Sequence, residues 1–191
     1  MRRIVILATL TGSFTLLMAG TAGAGAVSDQ FRGGAFGLSW NASKGAVEAK
    51  YPGGKWDADE QGRPRYCAAS RQVLLKLPAQ HQTRELCFLM GADGELASAT
   101  ARMDASLPAL LAVVNRSRTM FGDFDAVRRD EAAIQSRSTA MLWMKDVPYL
   151  VQVGSANDPS GRPIEVTFTV ANDAAMHSGG AEKVSHRPAD K

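Results

Sequence analysis

Cys67 and Cys87 are the two cysteines of a 191-residue chain. An even cysteine count points to a disulfide where the compartment is oxidising. Closing a loop of about 20 residues would contribute about 3 kcal/mol by restricting the unfolded chain. The rival arrangement is a pair of buried free thiols. Redox catalysis finds no support: the spacing is not C-x-x-C, and no Lys or His stands beside either thiol to lower its pKa. If residues 66–77 and 84–91 formed one simple hairpin, the two cysteines would miss each other by several positions. A bend near Ala68 and Ala69 would bring them together.

Other side chains that could do chemistry do not assemble into a site. His81 falls in the turn-like "PAQHQT", while His177 and His186 fall near the C-terminus. None has a ligand-type neighbour at the spacings that hold zinc, and none lies on an element rigid enough for a Ser-His-Asp arrangement. Gly33-Gly34 is not followed by a phosphate-binding loop. The acidic pair in "ADGELASA" belongs to a turn, and the methionines are scattered as core-filling residues are. Asn41 and Asn115 match the glycosylation sequon, which carries little weight in a bacterial setting. The sequence therefore yields no catalytic, cofactor-binding or metal-binding residues and implies no cofactor.

What remains are recognition candidates. Trp56 stands among Lys55, Asp57, Asp59 and Glu60, which predicts exposure, and exposed aromatics are frequent interface anchors. Arg116, Arg118, Arg128 and Arg129, with Asp123, Asp125, Asp130 and Glu131, form a mixed-charge region. This is either a solvated face or the rim of a docking surface.

These residues need a scaffold, and the chain suggests one. Residues 1–26 have Arg2 and Arg3, an apolar run over 4–18 and the small-residue site Ala24-Gly25-Ala26. That is the pattern of a Sec-type signal peptide, which predicts a periplasmic or secreted protein of bacterial type. Its removal would lower the net charge from +3 to +1, which gives no reason to expect a nucleic-acid partner. No later apolar run is long enough to span a bilayer. Residues 27–171 suit one domain. Residues 172–191 are rich in Gly, Ser, Ala and charge, which predicts a disordered tail.

Within the domain, Phe36, Leu38 and Trp40 alternate as in a strand. Asn41 or Ser43 would cap a short helix carrying Val47 and Tyr51 on one face, and Pro52-Gly53-Gly54 would end it. Alternation at Val73, Leu75 and Leu77, at Leu86, Phe88 and Met90, and over 95–103 predicts three strands, the last two joined by the turn Gly91–Gly94. A second helix follows, capped by Ser106, with Pro108 in its first turn and Gly122 at its end. Leu107, Leu110, Leu111, Val114 and Phe121 are its expected apolar face. Alternation at Thr139, Met141 and Trp143, at Tyr149, Val151 and Val153, and from Ile164 to Val170 predicts three more strands. The fold class is thus α+β: an antiparallel sheet with two helices, as two tandem α-β-β-β units over 36–103 and 106–170.

The opening Phe36-Gly37-Leu38-Ser39-Trp40 with Tyr51-Pro52-Gly53 resembles small exported bacterial proteins of the beta-lactamase-inhibitor-protein-like group and the neighbouring SmpA/OmlA-type assembly lipoproteins. The lipidated cysteine of the latter is missing here, and Asn41 stands where Gly is usual. The resemblance implies a soluble, non-catalytic protein that binds a protein, peptide or envelope component. Two other classes stay open on the residues alone: an envelope enzyme working without histidine or metal, and a structural or stress-related envelope protein.

Overall fold

The computed structural model describes residues 25–130 and 137–177. Its elements are helices α1 (Ala26–Phe31) and α2 (Lys44–Lys50), strands β1 (Lys55–Ala58), β2 (Pro64–Ala69), β3 (Thr83–Met90) and β4 (Leu96–Met103), helix α3 (Leu107–Phe121), strands β5 (Ala126–Asp130), β6 (Arg137–Trp143), β7 (Tyr149–Asn157) and β8 (Pro163–Asn172), and helix α4 (Asp173–His177). All eight strands form one antiparallel sheet in the order β1-β2-β3-β4-β8-β7-β6-β5. The expected α+β class holds. Each half, however, is a helix followed by four strands rather than three, and the halves join where β4 pairs with β8.

β2 stands in place of the expected strand at 73–77, and the further uncounted strands are β1 and β5, the two edges of the sheet. Their sequences, KWDA and AVRRD, lack the apolar alternation of a strand with one buried face. An edge strand pairs on one side only and buries little side-chain surface, on β1 just Trp56 against α2 and Tyr66, so its pairing leaves little trace in residue type. Charged side chains there also discourage edge-to-edge association.

Two expected strands are turns instead. Ala35 and Leu38 exchange backbone hydrogen bonds of 2.9 and 3.0 Å, with Phe36 and Gly37 at φ 51° and 73° between them. Leu38 and Trp40 still point inward, now from a tight turn rather than a pleated strand. Likewise 73–77 is a loop: Leu75 and Lys76 have φ 51° and 59°. The Leu77 N–H donates to the Leu74 carbonyl at 2.8 Å. Leu74 and Leu77 are buried, while Val73 is exposed. Apolar residues at odd spacing in a short segment cannot distinguish a strand from a loop that anchors itself at both ends.

Helices α1, α2 and α3 all cover one face of the sheet. Phe31 of α1 meets Phe168, Tyr51 at the end of α2 stacks on Phe88, and Phe121 of α3 meets Trp143. Ser43 caps α2 and Ser106 caps α3, each accepting an N–H of the first turn. The buried side of α3 is Ala109, Val113, Ser117 and Phe121, at intervals of four. Leu107 and Leu111 are 55% and 51% exposed, contrary to the expected face. Small Ala109 and Ser117 let the helix axis approach the sheet, and the larger Leu110 and Val114 flank the contact, partly buried.

The expected signal peptide lies outside the described residues except for Gly25 and Ala26, which open α1. This helix has no counterpart in the sequence reading. Val27 and Phe31, four apart, are both buried. At the other end, residues 172–177 of the expected tail belong to the fold. Asn172 closes β8, the Asp173 N–H donates to the Pro148 carbonyl at 2.7 Å, and Arg63 donates to the Met176 sulfur at 3.5 Å. Residues 178–191, including His186, lie outside the described residues, as does Glu131.

The turns that close the strands are held by carboxylates. The Asp125 carboxylate accepts the N–H groups of Met144 and Lys145 at 2.7 and 2.9 Å, with the Lys145 ammonium at 2.7 Å. Burial pushes its pKa up, but the hydrogen bonds from Lys145 and from the two N–H groups outweigh that and hold it below the ordinary aspartate value. Asp59 is balanced the same way, by burial against hydrogen bonds from Arg63 and Gln61. A carboxyl whose folded pKa is depressed stabilises above its unfolded pKa, and that contribution is lost as pH falls through the folded value. Stability is therefore expected to decline as pH drops below about 4. Asp59→Asn with Asp125→Asn should flatten that decline. Urea melts across the acid range check this, and an unchanged slope would contradict it.

Candidate functional site

The side chains on the other face of the sheet follow from the strand register. One row of directly paired residues crosses the whole sheet: Lys55, Cys67, Cys87, Thr100, Thr169, Gln152, Leu142 and Ala126. The adjacent row contains Ala69, Glu85, Arg102, Thr167, Gly154, Ala140 and Arg128. Apart from Leu142, which is buried, these are short or polar side chains, whereas the helix-covered rows carry Phe88, Val151, Val153, Phe168 and Val170, all fully buried.

Thr100 and Thr169 share a hydroxyl hydrogen bond of 2.9 Å. A Cβ on Gly154 would come within 2.7 Å of the Thr167 hydroxyl, so glycine keeps this strip flat. Arg102 sits between Glu85 at 2.7 Å and Glu165 at 3.1 Å. Toward the β1 edge, Arg65 grips Asp57 with two hydrogen bonds of 2.9 and 2.6 Å. Those bonds hold the Asp57 carboxyl below its ordinary pKa. The result is a broad surface of hydroxyls, an amide and paired charges around a flat centre. It offers hydrogen bonds to something laid across it.

The disulfide lies on this face. Cys67 and Cys87 are direct cross-strand partners with Cα atoms 4.1 Å apart and their sulfurs bonded. Pairing continues past Ala69: the Ser70 N–H donates to the Arg84 carbonyl and the Thr83 N–H to the Gln72 carbonyl, both at 3.0 Å, and Val73 bridges Gln82. The cysteines meet because the arm turns away after Val73 instead of running on to Leu77, and no bend at Ala68-Ala69 is needed.

A second concave region lies on the helix side, between the turn at 36–37, the end of α2, the loop 72–76 and α3. It is a cleft of about 570 Å³. Its apolar walls include Phe31, Phe36, Val73, Leu74 and Met120, and its polar lining includes Lys50, Lys76, Arg116 and Gln72. The three non-glycine residues with positive φ among the described residues, Phe36, Leu75 and Lys76, all line it. Such backbone costs about 1–3 kcal/mol per residue and persists where surrounding contacts enforce it. Here the Tyr51 hydroxyl donates to the Phe36 carbonyl at 2.5 Å and the Arg116 Nε–H donates to the Leu75 carbonyl at 2.8 Å. Burial raises the Tyr51 pKa, opposed by the hydrogen bond from Gln72, so its hydroxyl stays protonated and keeps donating.

The recognition candidates disperse over the fold. Arg116 lines the cleft. Arg118 pairs with Asp123 at 2.5 Å. Arg128 and Arg129 are both exposed on β5 and, as consecutive strand residues, face opposite ways, Arg128 toward the open face. Trp56 is half-buried rather than exposed. Its ring packs 5.0 Å from Tyr66, its N–H donates to Glu48, and the Lys44 ammonium lies 5.3 Å above it. The charged neighbours that suggested exposure alternate outward from β1 while Trp56 turns in.

Neither the open-face strip nor the cleft was singled out from the sequence. The signal for the first was the run of Thr and small residues on β4, β7 and β8, between apolar positions. The cleft left no such signal, because its residues come from seven separate segments. No protein-family model, curated protein or solved structure matches the chain.

Proposed function

We propose that this is an exported, periplasmic, non-catalytic binding protein that receives a protein or peptide partner on the open face of its sheet. One observation carries this reading: three helices cover the same face of an eight-stranded sheet, leaving a flat strip of Thr100, Thr167, Thr169, Gln152 and Gly154 on the other. An antiparallel sheet commonly leaves one face to water. What is particular here is the flat, hydroxyl-rich centre ringed by Arg65, Arg102 and Arg128, a polar surface suited to a protein interface with many hydrogen bonds. The resemblance of the opening segment to small exported binding proteins supports the same reading. A disulfide fits an oxidising compartment, and no helix among the described residues is long and apolar enough to cross a membrane.

The test is a Gln152→Arg, Thr169→Arg double variant. Both side chains are partly exposed; Thr169→Arg gives up the hydroxyl bond to Thr100 and the two arginines stand opposite each other, so the melt should fall by about 1–2 kcal/mol with the fold kept. Envelope proteins captured by the wild type should be lost from the variant. If the variant captures the same proteins with the same yield, the open face is not the binding surface.

A further inference from the structure

The cleft on the helix side has a charge pattern that the open face does not share. Lys50, Lys76 and Arg116 line it, and no acidic side chain does. None of the three forms an ion pair among the described residues. The Lys50 ammonium is held over the 36–37 turn: a Cβ on Gly37 would lie 3.0 Å from it. The two carbonyls that the positive-φ residues turn toward the cleft are already taken, one by the Tyr51 hydroxyl and the other by Arg116. The mouth thus presents donors and positive charge, with its nearest acceptors satisfied. Below it the walls are apolar, and Val73 is 52% exposed there.

We propose that this cleft binds a single-chain fatty carboxylate, with the carboxylate between Lys50, Lys76 and Arg116 and the chain against Phe36, Val73, Leu74 and Met120. The reasoning is complementarity on three counts. A volume of about 570 Å³ lies in the range of small-molecule sites. The lining carries three cations and no carboxylate, so an anion meets opposite charge there and its hydrogen bonds are charge-assisted. A monoanion suits the site better than a dianion, because the cleft is half-enclosed and desolvation penalises charge steeply. The apolar chain then covers surface that is otherwise in water. This site shares no residue with the open face and stands or falls separately from the reading above.

The experiment is calorimetric titration of the exported protein with decanoate, decanol, acetate and decyl phosphate, each kept below micelle formation. Decanoate should bind one to one. Decanol, with the chain but no charge, and acetate, with the charge but no chain, should each bind at least tenfold more weakly. Lys50→Glu with Lys76→Glu, both at exposed positions, should weaken decanoate at least tenfold without moving the melting temperature. The double variant Gln152→Arg, Thr169→Arg should bind decanoate like wild type. The proposal is overturned if decanoate does not bind, if decanol binds as well, or if the lysine reversals leave affinity unchanged. Decyl phosphate binding tenfold more tightly than decanoate would assign the cleft to a phosphate headgroup and overturn the carboxylate.

Discussion

Trp40→Ala should destabilise the domain by about 3–5 kcal/mol, enough to leave a marginally stable protein of this size partly unfolded. The indole is buried and stacks 5.7 Å from Tyr149. Its N–H donates to the Phe31 carbonyl at the end of α1, at 2.7 Å. One side chain therefore ties the opening turn to α1 and to the start of β7, three segments remote in sequence. Trp40→Phe keeps most of the apolar surface and gives up the indole hydrogen bond, while the Phe31 carbonyl still accepts the Gly34 N–H at 3.0 Å. It should cost about 1–2 kcal/mol. Trp56→Ala is the contrast: a half-buried ring on an edge strand should cost clearly less than Trp40→Ala. Urea melts of the three variants with a common m-value separate them. Equal midpoints for wild type and Trp40→Ala would mean that the opening segment is not part of the cooperative core.

Breaking the Cys67–Cys87 bond should cost about 3 kcal/mol, the loop-closure entropy returned to an unfolded chain with a loop of about 20 residues. The segment it closes contains the whole 70–82 excursion, including Leu74 and Leu77, which are anchored in the core, and the 72–76 side of the cleft. Because β2 and β3 remain paired through five residue positions, the sheet should survive reduction and the loss should appear as a lower midpoint rather than a new fold. Cys67→Ser with Cys87→Ser should melt like the reduced wild type. Far-ultraviolet circular dichroism should not change before the melt. A wild type whose midpoint ignores reductant would show that the loop is fixed by its own packing.

Both results bear on the proposed binding surfaces in different ways. Loss of Trp40 loosens α1 and the turn at 36–37, which forms one wall of the cleft. Loss of the disulfide loosens the opposite wall. The strip of Thr100, Thr167 and Thr169 lies on β4 and β8, at the centre of the sheet and away from both.

Residue order alone determined a good part of this protein. The helix stops at Pro52-Gly53 and Gly122, the caps Ser43 and Ser106, the turn Gly91–Gly94, and the strands around Phe88, Val153 and Phe168 are all legible locally. Caps and turns are set by short-range hydrogen bonding and backbone sterics, and central strands by burial of alternate residues. The even cysteine count likewise foresaw the disulfide. Tertiary structure decided the rest. β1 and β5 exist because β2 and β6 offer them a free edge, and pairing through backbone groups requires no particular side chains. Residues 35–38 and 73–77 became turns because inward packing of Leu38 and Trp40, and of Leu74 and Leu77, outweighs local preference for extended backbone. The face that α3 buries was chosen by how closely a helix with Ala109 and Ser117 can approach the sheet. The arginines read as one region separated because strand alternation and helix periodicity send neighbours in sequence to different surfaces. The cleft was invisible in the sequence, and the open strip was marked only by its threonines and small residues, for the same reason: each gathers residues from distant segments, and only the order in which the strands join brings them together.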